Sequence, residues 1–326
     1  MKAIIYTKYG EPDVLELKEV EKPVPKDNEV LIKVYAASIN DWDKGLLIGK
    51  PFINRLFFGL FRPRQRIIGC DIAGRVTAVG AKVTHLKPGD AVFGDLSGCG
   101  FGGFAEYVCA RENALTLKPV SMTFEQAAAT PQAACLALQG VRKGNIQQGQ
   151  KVLINGAGGG AGSFTLQMAK SKGATVTGVD SFEKFDVMRS IGADHVIDFT
   201  QEDFTKNGEC YDVILDQMAY HSILDYKRAL SPKGSYVTFG GSMLLLFKVL
   251  LLGPFVSMLW GKKMGILMLR QNKGMDSILE LFEAGKIKPV IDRTFPLNEA
   301  AEAMQYFVEG HAKGKVVITM EDNDKN

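Results

Sequence analysis

The sequence has few of the residues that build metal centres and disulfide frameworks. Its 326 residues include only four histidines and five cysteines, and no two cysteines form a CxxC pair. Structural zinc sites need closely spaced Cys and His ligands. Scattered cysteines in odd number are typical of free thiols in a reducing compartment, and the N-terminus lacks the apolar stretch of a signal peptide. We therefore expect a cytoplasmic protein.

Strong net charge is also missing. A formal charge of +3 on 326 residues argues against a nucleic-acid partner and against a polybasic membrane surface. The apolar fraction of 46% and the charged fraction of 23% match an ordinary globular protein. A chain of this length is too long to fold around one typical hydrophobic core, so we expect two domains.

No apolar run is long and uniform enough to span a membrane. The longest, residues 243–260, contains Lys248 near its middle and is broken by Gly253-Pro254, whereas a spanning helix needs about 20 predominantly apolar residues. A helix that is apolar all round is usually buried. We expect a lid over a pocket or a subunit interface of a homodimer, and contact with a membrane surface is the remaining alternative.

One stretch of the sequence, residues 151–180, has the layout of a dinucleotide-binding βαβ unit. An apolar run, Val152 to Ile154, predicts a buried parallel strand, and a glycine-dense turn follows from Gly156 to Gly162. Apolar side chains at helical spacing come next, and a second strand, Thr175 to Val179, ends at Asp180. This order of elements within about 30 residues is the pattern of nucleotide sites in Rossmann folds.

Each part of this pattern has a chemical reason. Glycines let the backbone approach a pyrophosphate closely, and the helix N-terminus offers free N–H groups and a favourable dipole. Asp180 can accept hydrogen bonds from the adenosine ribose. The alternative is a glycine-rich turn without a ligand. The predicted pyrophosphate-binding residues are Ala157, Gly158, Gly159, Gly160, Ala161 and Gly162.

The rest of the chain divides into a β-rich part and an α/β part. Short strand-like runs separated by turns fill the first 120 residues. Strands and helices alternate after residue 151, which predicts a doubly wound parallel sheet. Ligands bind outside the carboxyl ends of such strands. We therefore expect Asp216, after the fourth strand, and Phe239-Gly240-Gly241, after the fifth, to contact the cofactor.

Segment 49–66 combines four phenylalanines with four arginines. It is interpreted either as an aromatic-anchored surface loop or as the apolar wall of a substrate pocket. The small net charge argues against a third alternative, a platform that stacks nucleic-acid bases.

Six ordered motifs resemble those of the medium-chain dehydrogenase/reductase superfamily, and more narrowly its zinc-free, quinone-oxidoreductase-like branch. The glycine set fits the Ala-x-Gly-Gly-x-Gly form of that branch, in the register Ala157 to Gly162. The resemblance covers essentially the whole chain. The motifs are Ile67–Gly74, Pro88–Gly94, Gly103–Tyr107, Gly156–Gly162, Gly192–Asp198 and Gly314–Val317.

The resemblance implies an α/β protein that combines a GroES-like β-rich catalytic domain with a Rossmann doubly wound parallel sheet. Residues 1–124 would form the N-terminal part of the catalytic domain, and residues 125–270 the Rossmann domain. Residues 271–326 would return to the catalytic domain. The cofactor cleft is expected where the two domains join.

The resemblance also indicates which metal ligands are missing. Zinc-dependent alcohol dehydrogenases place a Cys where Asn40 stands and a His-Glu pair where Cys70-Asp71 stands, and their third ligand falls near Gln132. One thiol cannot build a stable zinc site with these neighbours, so we predict no zinc. The resemblance places Asn40 near the nicotinamide and substrate, as a donor to a developing oxyanion. Loop capping is the alternative for Asn40, and Asp43 is expected to orient or cap the same loop.

The choice of cofactor has two opposing indications. Asp180 favours NADH, because a carboxylate repels the 2′-phosphate of NADPH. The branch more often uses NADPH, with a Ser and a basic residue just after this strand. Ser181 is present, Glu183 stands at the usual basic position, and Lys184 follows it. We expect NADPH or NADH, with a preference for NADPH.

These features predict an NAD(P)H-dependent oxidoreductase that transfers a hydride to a small apolar quinone or α,β-unsaturated carbonyl. Without a Lewis acid an alkoxide is not stabilised, whereas hydride addition to these acceptors gives a delocalised anion. The alternatives are a zinc-free alcohol or aldehyde dehydrogenase and a nucleotide-binding scaffold without turnover.

Overall fold

A computed structural model describes residues 1–241 and 243–320 of the chain. The strands are β1 (Lys2–Ile5), β2 (Glu16–Glu19), β3 (Glu29–Ser38), β4 (Asp71–Val79), β5 (Ala91–Asp95), β6 (Tyr107–Arg111), β7 (Thr116–Leu117), β8 (Lys151–Asn155), β9 (Thr175–Asp180), β10 (His195–Asp198), β11 (Tyr211–Asp216), β12 (Leu230–Thr238), β13 (Lys263–Ile266), β14 (Ile291–Pro296) and β15 (Lys315–Thr319). The α-helices are α1 (Asp41–Ile48), α2 (Ile53–Phe58), α3 (Phe124–Ala128), α4 (Pro131–Gly144), α5 (Gly160–Ser171), α6 (Phe185–Ser190), α7 (Ile223–Ala229), α8 (Met243–Trp260), α9 (Met275–Glu283) and α10 (Ala300–Val308).

The chain forms two units. The mixed-sheet unit comprises Met1–Gln132, Gln271–Met275 and the described chain from Pro289 to Met320, and the parallel-sheet unit comprises Ala133–Arg270 and Asp276–Lys288. Residues 125–132 therefore lie in the mixed-sheet unit, although the sequence suggested the Rossmann domain. Residues 276–288 lie in the parallel-sheet unit, although the sequence suggested the catalytic domain.

The parallel-sheet unit contains a six-stranded sheet in the order β10-β9-β8-β11-β12-β13. Every neighbouring pair of strands is parallel. Counted from β8 as the first strand, the order is 3-2-1-4-5-6, which is the Rossmann order. Val152, Leu153 and Ile154 of β8 are completely buried, as expected for a central strand covered on both faces. The doubly wound sheet is thus confirmed.

The mixed-sheet unit contains a seven-stranded sheet in the order β14-β15-β3-β4-β5-β7, with β6 paired to β3. Its pairs are antiparallel except β14 with β15. One hydrophobic core lies against this sheet and includes Ile32, Ile72 and Phe104. Strand β14 was not expected, because its sequence, IDRTFP, has only two large apolar residues.

Proline acts differently at two positions in the helices. Helix α3 ends at Ala128 and α4 begins at Pro131, where a proline loses no helical hydrogen bond. In α8, by contrast, Pro254 lies inside a helix that runs through it, so the expected interruption at Gly253-Pro254 is wrong.

Helix α8 is only partly buried within its own unit. A narrow stripe with Leu245, Val249 and Val256 is buried, and most other positions of the helix are exposed. No helix within residues 1–241 and 243–320 is long and apolar enough to cross a membrane.

Candidate functional site

The glycine-rich loop lies at the start of helix α5. Gly159 is the N-cap residue of this helix, so the first N–H groups of α5 are free of helical partners. Gly156 has a φ of +86°, a left-handed conformation that favours glycine. A Cβ on Gly162 would lie 1.9 Å from the Gly156 carbonyl oxygen, so the helix start sits directly on the turn. This is the anion-binding geometry of a dinucleotide site.

The residues predicted to contact the ribose form an ion pair. Asp180, at the end of β9, accepts hydrogen bonds from the backbone N–H groups of Gly158 and Ser181, both at 2.9 Å. Lys184 Nζ lies 3.2 Å from Asp180 Oδ1, and the two side chains are only 12% and 10% exposed. The acid and the cation named from the sequence are therefore brought together. The carboxylate is held by the glycine loop and neutralised by Lys184.

Asp216, at the end of β11, is completely buried. Its Oδ1 accepts hydrogen bonds from Asn155 Nδ2 at 2.9 Å and from the Ala219 backbone N–H at 2.8 Å. Its Oδ2 accepts one from the Tyr236 hydroxyl at 3.0 Å. Both oxygens are used inside the protein, so Asp216 fixes the turn after β11 rather than presenting a free carboxylate.

The turns after β8, β11 and β12 meet at Gln217. A Cβ on Gly156 would lie 3.4 Å from Gln217 Cβ, and one on Gly240 would lie 3.3 Å from the Gln217 carbonyl oxygen. Gln217 Nε2 is buried and has no hydrogen-bond partner among the described residues. This unused donor at the carboxyl edge of the sheet fits a polar ligand such as a nucleotide.

Phe239-Gly240-Gly241 follows β12 at this same edge. The ring of Phe239 lies over α4, because a Cβ on Gly140 would be only 2.3 Å from Phe239 Cζ. The phenyl ring therefore anchors the turn, in which Gly240 is half-buried and Gly241 is exposed.

Asn40 lies in a buried polar cluster of the mixed-sheet unit. Its Nδ2 donates to Asp71 Oδ2 at 3.1 Å and to the Ser38 carbonyl at 3.3 Å. Its Oδ1 accepts from Lys315 Nζ at 2.5 Å. Both amide hydrogens are used within the cluster, so the oxyanion role expected for Asn40 would require one of these bonds to break.

Lys315 and Asp71 form a buried pair of opposite charge. Lys315 Nζ is 3.8 Å from Asp71 Oδ2, and their side chains are 3% and 0% exposed. Burial raises the pKa of the Asp71 carboxyl and lowers the pKa of Lys315, and each group's charge opposes the shift of the other. The Gln132 backbone N–H also donates to Asp71, at 3.2 Å, while Gln132 Nε2 is buried without a partner among the described residues.

Asp43 ties the start of α1 to the strand that follows. Its carboxylate accepts hydrogen bonds from the Asn40 and Gly69 backbone N–H groups, both at 2.9 Å, and from Cys70 Sγ at 3.2 Å. Burial raises the pKa of Asp43 to about 6, although these bonds and Lys315 oppose the shift. Asp43 thus caps the helix, as one of the sequence interpretations held.

The raised pKa of Asp43 predicts a loss of stability as pH increases. Between about pH 4 and pH 6, Asp43 is ionised in the unfolded chain but still protonated in the folded protein. The folded state therefore binds more protons, and the free energy of unfolding falls by about 3 kcal/mol as the pH rises through this range. Above about pH 6 this contribution is constant. Urea unfolding across this range is expected to show the loss in the wild type relative to Asp43→Asn. A difference between the two proteins that does not vary with pH would contradict the assignment.

Lys315 was not predicted as a site residue, and Cys70, Asp71 and Gln132 were considered only as positions where zinc ligands are missing. The available signal was an ionisable residue at the start of an apolar strand: Lys315 in β15 and Asp71 in β4.

The donor set of this cluster does not suit zinc. Cys70 is its single thiol and donates a hydrogen bond to Asp43, and the Lys315 ammonium donates one to the side-chain oxygen of Asn40. A cation there would meet a cationic neighbour rather than the three or four ligands that zinc requires. Within residues 1–241 and 243–320, no three His, Cys, Asp or Glu side chains are grouped as metal ligands.

Comparison with known proteins agrees with these features. The family model for the alcohol dehydrogenase GroES-like domain matches residues 26–120, and that for zinc-binding dehydrogenases matches residues 191–318. The 2-methylene-furan-3-one reductase of Solanum lycopersicum is 34% identical, over 98% of this chain and 79% of the relative. The chain belongs to the medium-chain dehydrogenase/reductase superfamily.

Further members of this superfamily indicate the branch to which the chain belongs. The chloroplastic NADPH-dependent alkenal/one oxidoreductase of Arabidopsis thaliana is 33% identical, over 98% of this chain and 79% of the relative. The quinone oxidoreductase of Coxiella burnetii has a TM-score of 0.87 and 29% identity, and the match covers 98% of this chain and 99% of that one. The chain is therefore a quinone-oxidoreductase-like oxidoreductase, and the mixed-sheet unit is its GroES-like part.

Proposed function

We propose that this protein uses NADPH to reduce a quinone or an α,β-unsaturated carbonyl, without zinc. The observation that carries the proposal is the buried Lys315–Asp71–Asn40 cluster, in which an ammonium group takes the place of a metal-ligand set. A metal-dependent alcohol dehydrogenase uses a Lewis acid to stabilise an alkoxide. A reductase of conjugated acceptors does not, because the negative charge spreads from carbon to oxygen.

The dinucleotide is proposed to bind the parallel-sheet unit. Its pyrophosphate would lie on the Ala157–Gly162 loop at the N-terminus of α5, and its ribose next to Asp180, Ser181 and Lys184. Gly240 and Gly241 would line the same edge, where Asp216 and Phe239 hold the turns. The neutral Asp180–Lys184 pair and the NADPH dependence stated in the name of a relative support NADPH over NADH.

The proposed reaction adds a hydride and a proton across a conjugated system. Bound NADPH supplies the hydride. Gln132 Nε2, the buried amide donor without a partner, is proposed to donate a hydrogen bond to the acceptor oxygen as negative charge develops there. Asn40 and Asp43 position this cluster, and the proton comes from solvent. A reducing compartment, the cytoplasm, suits the five free cysteines.

Turnover with a panel of acceptors tests the function. We expect the full-length protein to oxidise NADPH in the presence of enones, alkenals or quinones and to leave simple alcohols unreacted with NADP⁺. Metal analysis of the same sample should find no stoichiometric zinc. Tight NADPH binding without turnover of any acceptor would instead favour a scaffold, and one zinc per chain with alcohol oxidation would favour an alcohol dehydrogenase.

Replacing Gln132 by methionine tests its role as a donor. The variant keeps the length of the side chain and removes the amide, so kcat for an enone is expected to fall about 20-fold with KM changed little, as for a lost hydrogen bond to a charged group. Gln305→Met, on an exposed face of α10, is the control and should retain full activity. Equal kcat values for the Gln132 variant and the wild type would exclude this role.

A further inference from the structure

Helix α8 presents an unusually large apolar surface to solvent. Isolated exposed apolar residues are normal in proteins, but a contiguous set marks an interaction site. This set, which we call the α8 surface, consists of Leu244, Phe247, Leu250, Leu251, Leu252, Phe255, Met258, Leu259 and Trp260, each between 45% and 74% exposed. The helix has far more apolar surface than its own unit buries.

The sequence segment around the α8 surface contains basic residues but no acidic ones. Residues 226–275 contain eight lysines and arginines and no aspartate or glutamate. The small net charge of the whole chain conceals this segment. Helix α7, which contacts α8, carries one carboxylate, Asp225, and both Arg228 Nη2 and Ser222 Oγ hold it at 2.6 Å. The apolar surface therefore has positive neighbours and no free acid on the adjoining elements α7 and β13.

The C-terminal end of α8 combines an aromatic ring with these cations. Lys227 Nζ lies 3.6 Å from the centre of the Trp260 ring, and Lys263 is exposed just beyond it. Lys248 is exposed among the leucines of the helix, where its long side chain can extend toward charged groups. Tryptophan beside lysine at the edge of an apolar surface is the arrangement of proteins that lie at a membrane interface.

We propose that the α8 surface binds the surface of an anionic lipid bilayer, with α8 lying in the headgroup plane. Its leucines and phenylalanines would enter the acyl boundary while its lysines contact lipid phosphates. A second copy of this chain fits the α8 surface less well than an anionic bilayer does. A twofold interface sets each patch against itself, which would oppose lysines with lysines without a carboxylate in residues 226–275 to compensate.

Flotation with lipid vesicles tests the proposal on the full-length protein. We expect binding to vesicles of phosphatidylcholine that contain about 30 mol% phosphatidylglycerol, and at least tenfold weaker binding to phosphatidylcholine alone. Because each lysine near an anionic surface contributes about fivefold in affinity, the Lys248→Glu/Lys263→Glu variant should bind at least tenfold more weakly. High salt should weaken the wild type similarly.

A second variant separates the apolar contribution from charge and from folding. Leu251→Asp/Phe255→Asp changes two neighbours on the exposed face of α8 and should abolish vesicle binding while thermal unfolding stays as in the wild type. Leu117→Asp/Val120→Asp, at two exposed apolar residues of the mixed-sheet unit, is the matched control and should bind normally.

Three outcomes would overturn the proposal: no flotation of the wild type with anionic vesicles, equal loss in the control variant, or conversion of a dimer to a monomer by Leu251→Asp/Phe255→Asp without vesicle binding by the wild type. The last would show that a second copy covers this surface.

Discussion

Lys184→Ala is expected to lower kcat/KM for NADPH about 100-fold and to change kcat/KM for NADH less than threefold. In the wild type Lys184 neutralises Asp180 at 3.2 Å. Its removal leaves a carboxylate beside the proposed 2′-phosphate and deletes the cation that would contact it. The loss of one charge-assisted hydrogen bond and the gain of a repulsion together correspond to about 2.7 kcal/mol. Steady-state kinetics with both cofactors and one acceptor measure the change.

The reciprocal change should move specificity the other way. Asp180→Asn keeps an acceptor for the Gly158 N–H but removes the negative charge, so the ratio of kcat/KM for NADPH over NADH should rise at least tenfold. Lys172→Ala removes an exposed lysine at the opposite end of α5 and serves as the control for net charge. A ratio that is unchanged in both Lys184→Ala and Asp180→Asn would show that the pair does not face the nucleotide.

Lys315→Met is expected to lower the free energy of unfolding by about 3–5 kcal/mol, because the removal of one partner leaves the other buried charge uncompensated. Asp71 is completely buried and would keep only its bonds to neutral donors. Asn40 Oδ1 would lose its contact with Lys315 as well. Urea unfolding at neutral pH, with the slope checked for two-state behaviour, measures the loss.

A double-mutant cycle distinguishes the ion pair from the packing of the lysine chain. Removing both charges in Lys315→Met/Asp71→Asn should restore at least half of the lost stability, because no lone buried charge remains. Lys313→Met, in the loop just before β15, should change stability by less than about 0.5 kcal/mol. A Lys315→Met protein as stable as the wild type would show that the pair does not stabilise the fold.

Local patterns in the sequence were sufficient for most of the parallel-sheet unit. Val152 to Ile154 predicted β8. This strand is recognisable because both of its faces are covered, which requires consecutive apolar residues. The glycine turn was equally clear, since Gly156 needs its φ of +86° and Gly162 its missing Cβ. The cofactor contacts expected after β11 and β12 rest on the rule that ligands bind at the carboxyl ends of strands, and they stay predictions.

The sequence by itself therefore determined the parallel sheet and the glycine turn, because each depends on residues close together in the chain, and its six ordered motifs indicated the superfamily. Only the tertiary structure decided what happens to isolated polar and apolar groups. Lys315 meets Asn40 across 275 positions, a distance at which no periodicity predicts a contact. The same holds for α8: its composition indicated burial, but whether a neighbouring element covers a helix depends on the fold around it, and here the chain covers only one stripe.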